Sequence, residues 1–147
     1  REAESTVDRA LAELPLDFRL PLVLVDIAEL STAEAAEALG LPRHTVKTRV
    51  HRARLKLRKI LDAQLPQKDQ PPTQPATVCY AMLQAKLDAL DRGADLPYSD
   101  EALCERCRSV FATLDLGRDA CAALGRGQLP APVRAAVEAR LAAAAAD

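Results

Sequence analysis

The chain has 147 residues and carries 20 Lys and Arg against 21 Asp and Glu, for a net charge of −1. That length allows one domain or two small ones, and near-neutrality excludes a generally sticky polycation. Two Phe, two Tyr and no Trp leave nothing to build a base-stacking platform for single strands, while few Gly and abundant Ala and Leu predict an all-α fold.

Glu2 to Leu14 reads as an amphipathic helix with Val7, Ala10, Leu11 and Leu14 on one face, ended by Pro15. A second helix, capped by Asp17, is predicted to run to Leu30 around Phe18, Leu22, Val23, Val25 and Ile27, with Pro21 making its start irregular. Ser31-Thr32-Ala33-Glu34 is a capping box heading a short helix from Thr32 to Leu39, and Gly40 terminates it. Leu41 to His44 is the turn into the next helix.

That next helix is where the chain's basicity is concentrated. From Pro42 to Leu61 there are eight Lys or Arg and no acid, whereas residues 1–40 hold nine acids and three bases. Val46, Val50, Ala53, Leu57 and Leu61 form one apolar stripe. A short capped helix, a Gly-containing turn and a long basic helix in succession make a helix-turn-helix, whose second helix enters the major groove of duplex DNA. Arg43, His44, Thr45, Lys47, Thr48, Arg49, His51 and Arg52 lie toward its N-terminal end or outward side, where base edges are read. Arg54 and Lys56, with Arg58 and Lys59, lie further along, toward backbone phosphates. The two histidines are read as phosphate or solvent contacts, since neither has the companions of a metal site.

Several of these residues together carry a family resemblance. They are Leu11-Ala12-Glu13-Leu14-Pro15, Arg19, Ser31 with Glu34 and Ala36, Leu39-Gly40, Thr45-Val46-Lys47-Thr48-Arg49, and Arg52-Ala53-Arg54 with Leu57. The stretch from about residue 6 to residue 61 resembles region 4 of extracytoplasmic-function sigma factors. The resemblance implies binding to the promoter −35 element and docking on the flap of the RNA polymerase β subunit. His44 stands where family members commonly have Gly. The family's region 2 has no counterpart here. With Arg1 at the start and Met82 as the only Met, the chain is expected to be a piece of a longer protein.

Asp62 to Thr77, with Pro66, Pro71, Pro72 and Pro75, reads as a linker. Beyond it, Val78 to Arg92 is helical with Met82, Leu83, Leu87 and Leu90 inward, and Gly93 stops it. Ser99 caps a helix to Thr113, a short helix spans Arg118 to Leu124, and Pro130 opens a last one with Val133, Val137 and Leu141. Three segments follow: a helix-turn-helix domain over 1–61, a linker over 62–77 and a cysteine-rich helical domain over 78–147.

All four cysteines, Cys79, Cys104, Cys107 and Cys121, fall in the last segment. No run of about eighteen apolar residues suggests a membrane helix, and no secretory signal is visible. A cytoplasmic protein is therefore expected, with cysteines that ligate metal or respond to oxidants. Cys104-Glu105-Arg106-Cys107 places two thiolates on one helical turn, and Cys79 and Cys121 complete a tetrahedral Zn2+ set. Cadmium and copper(I) also suit thiolates; a thiol–disulfide switch on the same residues is the competing reading. This segment loosely resembles zinc-containing anti-sigma domains and the cysteine-rich extensions of metal-sensing sigma factors. Cys104 and Cys107 match the anti-sigma Cys pair and Cys79 the earlier ligand. Asp100 stands where that family has His, so the fourth ligand is Cys121 or, second, Asp100.

No catalytic constellation is present, and a non-enzymatic transcription initiation factor regulated by its cysteine-rich domain is expected. Its partners would be promoter DNA, RNA polymerase and, within the chain, one domain against the other. A stand-alone helix-turn-helix metalloregulator and a protein-interaction module with structural zinc are the alternatives.

Overall fold

The computed structural model describes residues 2–64 and 71–126. The helix expected after Pro130, the terminal alanines and residues 65–70 of the expected linker lie outside the described residues. Six α-helices, and no strand among the described residues, carry the all-α expectation: α1 (Glu2–Glu13), α2 (Leu16–Leu22), α3 (Thr32–Leu39), α4 (Arg43–Gln64), α5 (Ala76–Arg92) and α6 (Glu105–Arg126).

α1 buries Val7, Ala10, Leu11 and Leu14. The carbonyls left open at its C-terminal end are met by Arg19, whose Nη2 donates to Ala12 O at 2.8 Å and Leu14 O at 2.7 Å. α2 begins one residue before Asp17. Its N-cap is Pro15, whose carbonyl accepts from the N–H groups of Phe18 and Arg19 at 3.0 and 2.9 Å. Asp17 is thus not a cap but a first-turn acid, favourable to the helix dipole. The irregularity expected at the start of this helix falls after Pro21 instead. Val23–Ile27 widens into a π-helical stretch, with Ala28 N–H donating to Val23 O at 2.8 Å. Within it Val23, Leu24, Asp26 and Ile27 are all buried, and Glu29 just beyond takes a left-handed φ of 58°.

The capping box forms as the sequence predicts: Glu34 N–H donates to Ser31 Oγ at 3.1 Å, and Ser31 N–H to Glu34 Oε1 at 3.0 Å. Gly40, at φ 67°, closes α3, and Leu41 N–H returns to Ala36 O at 3.0 Å. α4 follows at once, with the Pro42 carbonyl accepting from Thr45 and Val46. Its stripe of Val46, Val50, Ala53, Leu57 and Leu61 is buried throughout, and the helix continues to Gln64, three residues into the expected linker.

The two helices expected between Ser99 and Leu124 are one. A short 3-10 turn at Asp100–Ala102 precedes α6, which runs unbroken through Gly117. A Cβ at Gly117 would stand 3.4 Å from both Leu57 and Leu61, so the glycine lets α6 lie close on α4. That contact offsets the roughly 1 kcal/mol that Gly costs inside a helix.

Two apolar clusters result. The first joins α1, α2, the π stretch, α3 and α4 to Ala120, Cys121 and Leu124 of α6. The second gathers Leu87, Leu90, Leu103, Cys104, Cys107, Phe111 and Leu114, with Leu55 of α4 packed against it. α6 therefore belongs to both, and the packing does not follow the division expected at residues 62–77.

Candidate nucleic-acid interface and cysteine cluster

The turn fixed by Gly40 and Pro42 delivers the first turns of α4 to the surface. Arg43, His44, Lys47, Thr48, Arg52 and Lys56 are exposed; Thr45, Arg49 and His51 are half-buried. Thr48 Oγ1 donates to His44 O at 2.9 Å, as a helical Thr does when turned back on its own ladder. Arg49 leans toward Asp17 at 4.0 Å, and Lys56 Nζ stands 5.1 Å from the Phe18 ring centroid, so these two flank α2. The remaining exposed set forms a basic edge with the N-terminal turns of α4 at its centre.

Arg54, expected at the DNA, is instead 5% exposed. Its Nη2 and Nε donate to Asp26 at 2.8 and 3.1 Å, and its Nη1 donates to Asp91 of α5 at 2.6 Å. A cation between two carboxylates inside a fold is a structural clamp. Burial alone would lower the pKa of Arg54, but the two acids outweigh it and raise it. His51 Nε2 lies 2.6 Å from Asp91 Oδ2, and Lys47 Nζ 3.7 Å from Asp88 Oδ1. Burial pushes the Asp91 carboxyl up, yet His51 and Arg54 together hold it below the ordinary Asp value. The C-terminal half of α5 thus lays two acids along one side of the basic helix. His51, Asp88 and Asp91 bring ligand atoms within 4.8 Å of one another, but Lys47 and Arg54 already supply the positive charge there.

The thiols divide differently from the sequence expectation. Cys79, in the first turns of α5, meets Cys104 and Cys107, all three sulfurs lying within 4.8 Å of one another. Cys104 is the residue before α6 begins, and Cys107 lies one turn in. The Cys107 backbone N–H hydrogen-bonds the Cys104 sulfur, which lowers the Cys104 thiol to about 7; a thiolate here caps the helix N-terminus. Burial pushes Cys107 up to about 12. Cys121 is not with them. It is fully buried in the first apolar cluster, where burial raises its thiol to about 12. Asp100, the second choice of fourth ligand, is exposed and also absent from the group.

Sequence reasoning missed Asp26, Asp88 and Asp91. Asp88 and Asp91 stand three apart on a predicted helix and so share a face, which was the available signal. Asp26 gave none, because its burial depends on the π stretch.

Residues 5–57 match the family model for sigma-70, region 4. The chain is similar to the ECF RNA polymerase sigma factor SigW of Bacillus subtilis (strain 168), 45% identical over 60 residues, which are 41% of this chain and 32% of that protein. It is 42% identical over 60 residues to the ECF RNA polymerase sigma factor SigM of Mycobacterium tuberculosis, covering 41% of this chain and 31% of that protein. With the ECF RNA polymerase sigma factor SigE of Mycolicibacterium smegmatis it shares 46% identity over 52 residues, 35% of this chain and 20% of that one. The chain spans a third or less of the length of these relatives. α5 and α6 lie beyond the family match. No solved structure matches the chain.

Proposed function

We propose that the chain, whose residues 5–57 match the family model for sigma-70, region 4 and are similar to extracytoplasmic-function sigma factors, is the promoter-reading end of a transcription initiation factor. α4 enters the major groove of the −35 element, and the same segment docks on the flap of the RNA polymerase β subunit. The observation that carries this reading is the exposed basic edge of α4 directly after the Gly40 turn. Arg43, His44, Thr45 and Thr48 offer base contacts there, and Lys47, Arg49, His51, Arg52 and Lys56 offer phosphate contacts. Arg54 serves the fold.

Residues beyond the family match regulate access to this edge. Asp88 and Asp91 of α5 occupy the side of α4 that Lys47 and His51 would turn to phosphate. Cys79, Cys104 and Cys107 fit a thiophilic metal ion such as zinc, and such an ion would tie α5 to the start of α6. The protein would act in the cytoplasm, beside its polymerase; no helix among the described residues is long and apolar enough to cross a membrane.

The test is fluorescence anisotropy of the full chain on a duplex carrying a −35 element, in a salt series. Arg52→Ala should weaken binding and flatten the dependence of log K on log salt by about one phosphate contact, and Arg43→Ala should weaken binding and relax the preference for the −35 sequence over an unrelated duplex. Binding indifferent to both substitutions would sink the reading.

A further inference from the structure

The chain holds four cysteines and two histidines in all. Three of the cysteines meet; the fourth, Cys121, is enclosed in the other apolar cluster among groups that include Asp26 and Arg54. Both histidines are on α4, and His51 is engaged by Asp91. No further thiol remains in the sequence, neither histidine belongs to the group, and the chain's one other sulfur is the Met82 thioether, three residues after Cys79 on α5. An ion about 2.3 Å from three thiolates needs sulfurs about 4 Å apart, which this cluster provides with small side-chain adjustment. A closed four-cysteine zinc site does not fit: it would require Cys121 to leave its core and carry α6 with it.

The surroundings of the open side are equally specific. Cys79 and Cys107 line a cavity of about 310 Å³ whose walls include Leu55, Leu83, Val110 and Phe111. Arg58 and Gln74 also line it, and Arg58 Nε and Gln74 Oε1 are buried atoms without hydrogen-bond partners. Buried polar atoms are ordinarily paired, so a donor and an acceptor left over beside the thiols leave room for a small polar guest.

We propose that Cys79, Cys104 and Cys107 form an open three-thiolate site for a soft metal ion, with its unfilled position on the cavity side and Cys121 taking no part. The proposal rests on the metal-binding reading above and changes its chemistry. Structural zinc sites are closed by four ligands; a site with a vacancy exchanges its fourth ligand and favours ions content with three sulfurs, such as copper(I).

The experiment uses the full chain, reduced and under anaerobic conditions, loaded with Zn2+ and separately with copper(I). X-ray absorption at each metal edge counts the sulfur neighbours. Three sulfurs are expected for both ions, with one additional light-atom neighbour on zinc. Adding free cysteine should raise the zinc count to four. Cys121→Ala, its fold verified by circular dichroism, should leave one ion per chain and affinity within about twofold. Cys79→Ser should lower affinity more than about tenfold, since loss of even an outer-shell partner costs that much. Four sulfurs without added thiol, or loss of binding in Cys121→Ala, would overturn the open site while leaving metal binding intact. Failure to bind either ion would overturn both.

Discussion

Arg54 and Asp26, 28 residues apart, meet in a two-pronged ion pair with N–O distances of 2.8 and 3.1 Å, and both side chains are almost fully enclosed. The pair joins the π stretch after α2 to the middle of α4, and Asp91 on the far side of the guanidinium brings in α5. Asp26→Ala would strand a buried guanidinium with one acid. It should cost about 3–5 kcal/mol in urea denaturation, the usual penalty for breaking a buried pair. The double replacement Asp26→Leu with Arg54→Met should recover much of that loss, because it removes both charges together. Arg54→Met that weakened DNA binding with no loss of stability would instead put Arg54 at the DNA.

Asp88 and Asp91 set a second expectation. If they compete with phosphate for Lys47 and His51, the double variant Asp88→Asn with Asp91→Asn should bind promoter duplex more tightly, with a log K–log salt slope steeper by about one contact. Anisotropy reads both quantities, and unchanged affinity would leave α5 as packing only. The pH dependence has a definite sign. The Asp91 carboxyl is held in the fold below the ordinary Asp value of 3.8, because His51 and Arg54 outweigh burial. Its contribution is thus complete above pH 3.8 and lost as pH falls through the lower folded value. Wild type should lose stability across that acid range more steeply than Asp91→Asn, and both should be flat near neutrality with respect to this group.

The contrast between Asp26 and the capped α3 shows what the sequence could convey. The Ser31–Glu34 box, the Gly40 stop and the apolar stripe of α4 are local patterns, and each formed at the expected residues because its hydrogen bonds close within a few positions. The helix-turn-helix and its basic edge were legible for the same reason. Contacts between α4 and the later helices were not. Gly117 reads locally as a break, yet it is a point of close approach to Leu57 and Leu61 that becomes visible only when α6 is laid on α4. Cys121 looked like a fourth ligand because spacing cannot tell which apolar cluster a helix enters. Arg54 looked like a phosphate contact because its acids sit 28 and 37 residues away.

The three described thiols with shifted acidity should separate by reactivity. Cys104, lowered to about 7 by the Cys107 backbone N–H, is about half thiolate at neutral pH, whereas Cys107 and Cys121, raised to about 12, are thiols. In metal-free protein, iodoacetamide at pH 7.5 should label Cys104 well ahead of Cys107 and Cys121. Its rate should climb through pH 7 and level off by about pH 8. Peptide mass spectrometry over a time course measures this, and labelling of Cys107 at the Cys104 rate would contradict the assigned geometry.

Gly125 and Gly117 make a paired test of how α6 is held. A Cβ at Gly125 would collide with the Ile27 carbonyl, a backbone atom at the end of the π stretch that cannot rotate away. Gly125→Ala must therefore lift the end of α6 or shift Ile27, loosening the cluster that encloses Cys121 and Leu124. A cost of about 1–3 kcal/mol is expected, the range for overpacking a close contact. At Gly117 the neighbours are the ends of two Leu side chains at 3.4 Å, which can yield by a few tenths of an ångström. There the gain of about 1 kcal/mol in helix propensity opposes the crowding, and Gly117→Ala should change stability by less than about 1 kcal/mol. Urea denaturation of both variants measures the difference. Equal effects at the two sites would mean that α6 does not rest on the backbone of the π stretch, and the shared core would then depend on side-chain packing against α4 alone.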